Sequence, residues 1–218
     1  MKMTHVLNKS IVLEHEGQQL LEYVYRPETP VSEAPRPYIH PLRTLSGNLV
    51  TGFRPHEAPW YHGLSMVLAH VNEQTFFGGI SYVADVGDGT PGYRQLPNTG
   101  QQVHKAWQEA SCDGDSAHLR ESLTWVTYDG TEWLAEDRDI VFGGIDASAG
   151  AWTITWGSTL TNISGTQLRL GSGAMGRPAE KAYKLAISPI REHNRSLDVT
   201  SATSPVPAGG YGLSLIHI

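Results

Sequence analysis

Cysteine is nearly absent. Cys112 is the only one, so neither an internal disulfide nor a thiolate metal cage is possible, and a packed core must hold the fold. That usage points to a reducing compartment, the cytoplasm. Long apolar runs are missing too: none reaches the roughly 18 to 20 residues that cross a bilayer, and Met1 to Ser10 lacks the basic-then-apolar order of an export signal. A membrane partner is therefore not expected. Nor is there an excess of basic residues. Lys+Arg 16 against Asp+Glu 22 gives a formal charge of −6, which leaves no basic surface to displace counterions from phosphates and argues against nucleic acid as a partner.

Several catalytic signatures are also lacking. No G-x-S-x-G elbow occurs, and Ser111-Cys112-Asp113-Gly114 is not a catalytic-cysteine context, so covalent catalysis is not indicated. Gly78-Gly79 and Gly143-Gly144 have neither the dinucleotide nor the P-loop form and read as turns or bulges. No stretch of ten residues shows a capped 3.6-residue period, so helix should be scarce.

What remains is short alternation of apolar and polar residues, bounded by turn residues every eight to twelve positions. Ser10 to Leu13 and Gln19 to Tyr25 read as a hairpin around Glu16-Gly17. Arg26 to Pro37 carries Pro27, Pro30, Pro35 and Pro37, whose missing N–H groups and fixed φ predict an extended surface crossing. Strand resumes over Tyr38 to Leu42. Leu64 to Val71 and Thr75 to Val83 are expected to pair through Asn72-Glu73-Gln74, with Asp85 to Gly92 a loop. Gln101 to Ala110, Ala117 to Thr127 and Glu132 to Phe142 form a meander, with Asp129-Gly130 as one turn. Ala151 to Ile163 is the clearest strand, with Trp152, Ile154, Trp156, Ser158 and Leu160 on one face. A turn at most is expected near Ala179 to Leu185, and Ser196 to Pro207 reads as a loop. The whole predicts an all-β, antiparallel β-sandwich.

Histidine supplies the chemical signal. Of 10 in the chain, three lie between Tyr38 and Gly63. Arg54-Pro55-His56-Glu57-Ala58-Pro59-Trp60-Tyr61-His62-Gly63 joins two imidazoles, a carboxylate, a guanidinium and two aromatics in a stiffened loop. Imidazole exchanges protons near neutral pH and a carboxylate fixes its tautomer, so His56, Glu57 and His62 are the expected acid/base set. Metal binding is the alternative, with His40 or His104 as a third ligand, but the six-residue spacing of His56 and His62 does not match helical metal motifs. Structural histidines are a third reading. Trp60 and Tyr61 could stack a sugar ring, whereas Trp125, Trp152 and Trp156 sit in alternating patterns that suit a core.

Arg36-Pro37-Tyr38-Ile39-His40-Pro41-Leu42-Arg43-Thr44, with Arg54-Pro55-His56-Glu57 and Trp60 to Leu64, resembles the PmoA family, a soluble bacterial domain family of unknown function. Phe76-Phe77-Gly78-Gly79-Ile80-Ser81-Tyr82-Val83, Gly92 to Gly100 followed by His104, Leu123 to Val126, and Thr159 to Asn162 are similar to that family's later motifs. The likeness spans roughly residues 20 to 178. Ala58 and Tyr61 stand where the family often has histidine, which weakens a metal cluster, and Lys181 to Pro207 interrupts the pattern after Gly176-Arg177-Pro178. The family name implies a methane oxygenase subunit, a label at odds with a chain lacking membrane spans.

That family resembles β-sandwich proteins associated with carbohydrate catabolism, and His62-Gly63 is similar to an element of aldose-epimerase-like (galactose mutarotase-like) supersandwiches. The resemblance implies a sugar or sugar-derivative ligand, acid/base work by His56 or His62, and ligand contacts from Arg54, Trp60, Tyr61, His40, Tyr93 and His104. No cofactor is expected. Two alternatives stay open: a non-catalytic carbohydrate-binding module, and a metal-dependent oxygenase. Leu213 to Ile218 resembles the translation of a transposon end used in sequencing libraries. Residues 1–212 are accordingly expected to be one domain cut from a longer protein, with a catalytic Glu beyond Gly212.

Overall fold

Period-two alternation builds nearly everything. The computed structural model describes residues 1–171 and the backbone of 183–187, 198–199 and 211–217. In chain order the strands are β1 (Lys2–Val6), β2 (Ser10–His15), β3 (Gln18–Val24), β4 (Tyr38–Leu42), β5 (Leu64–Leu68), β6 (His70–Val71), β7 (Ser81–Val83) and β8 (Gly92–Arg94). They continue as β9 (Gln101–Asp113), β10 (Ser116–Val126), β11 (Glu132–Asp146), β12 (Ala151–Asn162), β13 (Leu170–Gly171), β14 (Tyr183–Ile187), β15 (Asp198–Val199) and β16 (Tyr211–His217). One sheet runs β1-β2-β3-β4-β5-β14 and the other β15-β16-β12-β11-β10-β9, with β13-β6 and β7-β8 as small pairs. The sheets are antiparallel and pack as a sandwich.

The two inner faces make the core. Ile11, Leu13, Leu21, Tyr23, Ile39, Leu64 and Met66 from the first sheet meet Leu119, Trp125, Ile140, Phe142, Trp152, Ile154 and Trp156 from the second. The β12 alternation is as expected, with Trp152, Ile154 and Trp156 fully buried. Burying such side chains removes apolar surface worth about 25 cal/mol per Å² from water. Gly143-Gly144 marks a bulge where β11 slips against β12.

Three expectations need correction. β1 was not foreseen: its burial pattern is almost wholly exposed, so hydrogen bonding to β2, rather than alternation, makes it a strand. Thr75 to Val83 is strand only over Ser81–Val83, because Gly78 and Gly79 both take positive φ and break the ladder. The proline-rich connector does not stay on the surface. It makes a 3-10 turn at Val31–Glu33 and sends Glu33, Ala34 and Arg36 inward. The turn expected near Ala179 to Leu185 and the loop expected over Ser196 to Pro207 fall largely outside the described residues. Tyr183–Ile187 pairs with β5, and Tyr211–His217 pairs with β12.

Candidate functional site

The histidine loop is anchored at both ends. Gly63 has φ +47°, and a Cβ there would lie 2.1 Å from the Ile39 carbonyl oxygen, so only glycine lets the loop rejoin the sheet beside β4. Arg36, 1% exposed, donates to the Glu33, Ala34, Phe77 and Trp60 carbonyls and to Ser65 Oγ. Burial brings its pKa down to about 9, a shift the Glu33 charge opposes. That guanidinium staples loop to connector. The Trp60 ring lies so close over Gly79 that a Cβ there would meet it at 2.5 Å, and Tyr61 meets Phe77 edge-on at 5.2 Å.

Beneath the loop sits a carboxylate–imidazole pair. Glu33 accepts from Arg54 Nε at 2.9 Å and Nη2 at 2.7 Å, and from His62 Nε2 at 3.0 Å. Burial pushes the Glu33 pKa up, but the bonds from Arg54 and His62 outweigh it and hold the carboxyl below its usual value. His62 is 1% exposed. Burial and the Arg36 charge lower its pKa to about 4, so at neutral pH it is an uncharged ring whose Nε2–H donates to Glu33. Its Nδ1 is sealed, with no hydrogen-bond partner among the described residues. Both ring nitrogens thus face protein.

Beside this cluster opens a cleft of about 350 Å³, lined by Lys9, Glu22, Arg26, Glu28, Tyr38, His40, Phe53 and Arg54 among others. Its aromatic wall follows from strand geometry. Tyr38 and His40 are two apart on β4 and share a face, and Phe53 stacks on both, at 4.9 Å and 5.3 Å between ring centroids. Burial and Glu22 push the Tyr38 phenol up to about 12, so it keeps its proton. Burial and Arg43 lower His40. Thr51 Oγ1 accepts from the Leu42 N–H and lies 2.9 Å from His40 Nδ1. Nδ1 is the acceptor left for that buried hydroxyl, which puts the His40 proton on Nε2. Among the described residues neither Lys9 nor Arg26 is in an ion pair.

A second imidazole–carboxylate pair lies between the sheets. His104 Nδ1 is 2.6 Å from Glu121 Oε2. Glu121 Oε1 accepts the Tyr23 phenol, and Arg138 Nη1 stands 3.8 Å from it. Arg138 also donates to Glu136, Gln102 Oε1 and Tyr23 Oη. Burial would lower the Arg138 pKa, but Glu136, Tyr23 and Glu121 raise it, so the guanidinium stays charged. The His104 ring is held between Tyr25 at 4.7 Å and Trp107 at 4.9 Å.

The expected site residues therefore scatter. His40 and Arg54 share the cleft. His56 and Glu57 are exposed while His62 is sealed, and the carboxylate partner of His62 is Glu33 rather than Glu57. Trp60 and Tyr61 are half-buried against the 77–79 segment. Tyr93 is exposed on β8, edge-on to Tyr82. His104 is in the second pair. Among the described residues no group of three or more His, Cys, Asp or Glu side chains is placed to hold a metal ion. No helix among them is long and apolar enough to cross a membrane. The reading of residues missed Glu33, Tyr38, Glu121 and Arg138.

A family model described as a family of unknown function (DUF6807) matches residues 10–185. The chain belongs to this family. Both buried imidazole–carboxylate pairs and the cleft, Lys9 excepted, lie within the DUF6807 segment. No curated protein and no solved structure matches. The family description carries no activity, so the likeness to the PmoA family and to aldose-epimerase-like supersandwiches rests on the motifs alone.

Proposed function

We propose that this DUF6807 member binds a sugar or sugar derivative, one carrying an acidic group, in the cleft beside Phe53. The observation that carries this reading is the make-up of that cleft. About 350 Å³ holds an aromatic wall, two cations outside any described ion pair, and the carboxylates Glu22 and Glu28. A volume at the lower end of the usual ligand range suits a monosaccharide. Phe53 offers a face to ring C–H groups, Glu22 and Glu28 accept hydroxyl protons, and Tyr38 and His40 donate. Lys9 and Arg26 take the acidic group, with a guanidinium suited to bidentate pairing.

His62 contributes by holding Glu33 and Arg54 in place at one end of the cleft. Recognition, rather than acid/base work by His56 and His62, is what this arrangement supports best. Saturation-transfer NMR and calorimetry against neutral monosaccharides and the matching uronic acids test it. The acid should bind more tightly, and Glu22→Gln and Arg26→Ala should each weaken it about tenfold or more, with His56→Ala unchanged. Absence of binding by every sugar, or unchanged affinity in both cleft variants, overturns the reading.

A further inference from the structure

We infer that His104 is a general base, held by Glu121, acting on a small hydroxy-carbonyl compound in a second hollow that shares Arg26 with the cleft. The hollow measures about 170 Å³ and is lined by Tyr25, Arg26, Pro27, Pro35, Val103 and His104 among others. Taking roughly 30 Å³ for each water of liquid volume, it has room for about five or six non-hydrogen atoms. That is the size of a triose or of the carbonyl end of a longer chain.

A buried His–Glu bond alone would be a packing device. Three further observations set this one apart. First, the carboxylate is itself held: Tyr23 donates to one oxygen, and Arg138, fixed by Glu136 and Gln102, stands beside it. Such bracing fixes ring orientation and tautomer, with the proton on Nδ1 and the lone pair on Nε2. Second, Nε2 makes no hydrogen bond among the described residues while the ring lines the hollow. Third, Arg26 lines the same hollow with no ion pair among the described residues. The His62 pair shares the first, since Arg54 holds Glu33, but lacks the other two: both nitrogens of that ring are closed in, and its arginine is spent on the carboxylate.

The step balances without a co-reactant. Nε2 takes the proton from the hydroxyl-bearing carbon next to the carbonyl. The C–H electron pair becomes the carbon–carbon double bond of an enediolate, and the carbonyl pair moves onto oxygen, facing Arg26. Glu121 stabilises the imidazolium. Return of the proton to the same carbon restores the base and the starting compound; return to the former carbonyl carbon, with the hydroxyl proton of the enediolate passing from the neighbouring oxygen to the former carbonyl oxygen, restores the base and gives the aldose–ketose isomer. His104 is the catalytic residue; Glu121 is a positioning residue.

The test is proton exchange in deuterated buffer, read by NMR with glyceraldehyde and dihydroxyacetone as probes and a protein-free blank. Wild type should incorporate deuterium at the carbon next to the carbonyl faster than the blank. His104→Gln should lose roughly 100-fold or more of that excess, and Glu121→Gln should lower it and move its pH profile, with unfolding curves showing each variant folded. Glu132→Gln, exposed on β11, should leave exchange unchanged, and His104→Gln should leave sugar binding in the cleft unchanged, so failure of the sugar reading and failure of this one are told apart. Wild-type exchange no faster than the blank, or exchange retained in folded His104→Gln, overturns the inference. If Glu121→Gln fails to fold, the shift of the His104 Nε2 resonance on adding probe decides instead: a shift supports the site and no shift overturns it.

Discussion

Two buried imidazole–carboxylate pairs among the described residues differ in what lies at the far end of the ring. In Glu33–His62 the carboxylate bonds Nε2, Arg54 takes its remaining valences, and Nδ1 is walled in. In Glu121–His104 the carboxylate bonds Nδ1, and the ring lines a hollow. The pair of residue types is therefore a poor guide to chemistry. Whether the second nitrogen reaches a space that a molecule can enter decides what the pair can do.

The largest effect should come from removing the charge that supports the second pair. Arg138→Met leaves Glu136 and Glu121 in the core without their shared cation. A loss of about 3–5 kcal/mol in denaturant unfolding is expected. A loss under about 1 kcal/mol would mean that the carboxylates are already protonated or hydrated.

The first pair should show itself through pH. His62 has a folded pKa of about 4, below the ordinary value of 6.5. Between those values the unfolded chain binds more protons, so stability is full above about 6.5 and falls, by on the order of 3 kcal/mol, as pH drops toward 4. Glu33, held below its usual range, extends the loss to lower pH. His62→Gln should reduce the slope, with a residue left by His40 and His70, which burial also lowers. A slope unchanged in His62→Gln would show that this ring is hydrated, contrary to the contrast drawn.

The smallest effect belongs to the surface. Lys105 and Glu132 pair at 2.8 Å with about half of each side chain exposed. Lys105→Ala should move stability by less than about 1 kcal/mol, measured by the same unfolding curves. A larger change would imply that the outer face of β9 and β11 supports the interior network.

The sandwich was legible because its strands alternate cleanly. Trp152, Ile154 and Trp156 on β12 share one face and are buried together. The charged interior was legible in the same way but needed the phase followed through the polar residues. Glu121 falls in step with Leu119 and Leu123, and Glu136 and Arg138 fall in step with Leu134 and Ile140. A charge on the inward phase of a strand is a buried charge, and buried charges need partners. Glu33 carried no such mark. It sits in a proline-rich turn, and its partners lie 21 and 29 positions away, so only the closed fold brings them together. Sequence proximity drew His56, Glu57 and His62 into one set. The short turn at 55–58 leaves the first two in solvent while Gly63 sends the third beneath the loop.

Histidine ¹⁵N NMR, recorded well above the ordinary imidazole range, tests the contrast most directly because the two rings should be opposite tautomers. His62 should carry its proton on Nε2 and ignore added glyceraldehyde. His104 should carry its proton on Nδ1 and show an Nε2 resonance that shifts as the probe is added. Matching tautomers in the two rings, or a probe response at His62 and none at His104, would contradict the account.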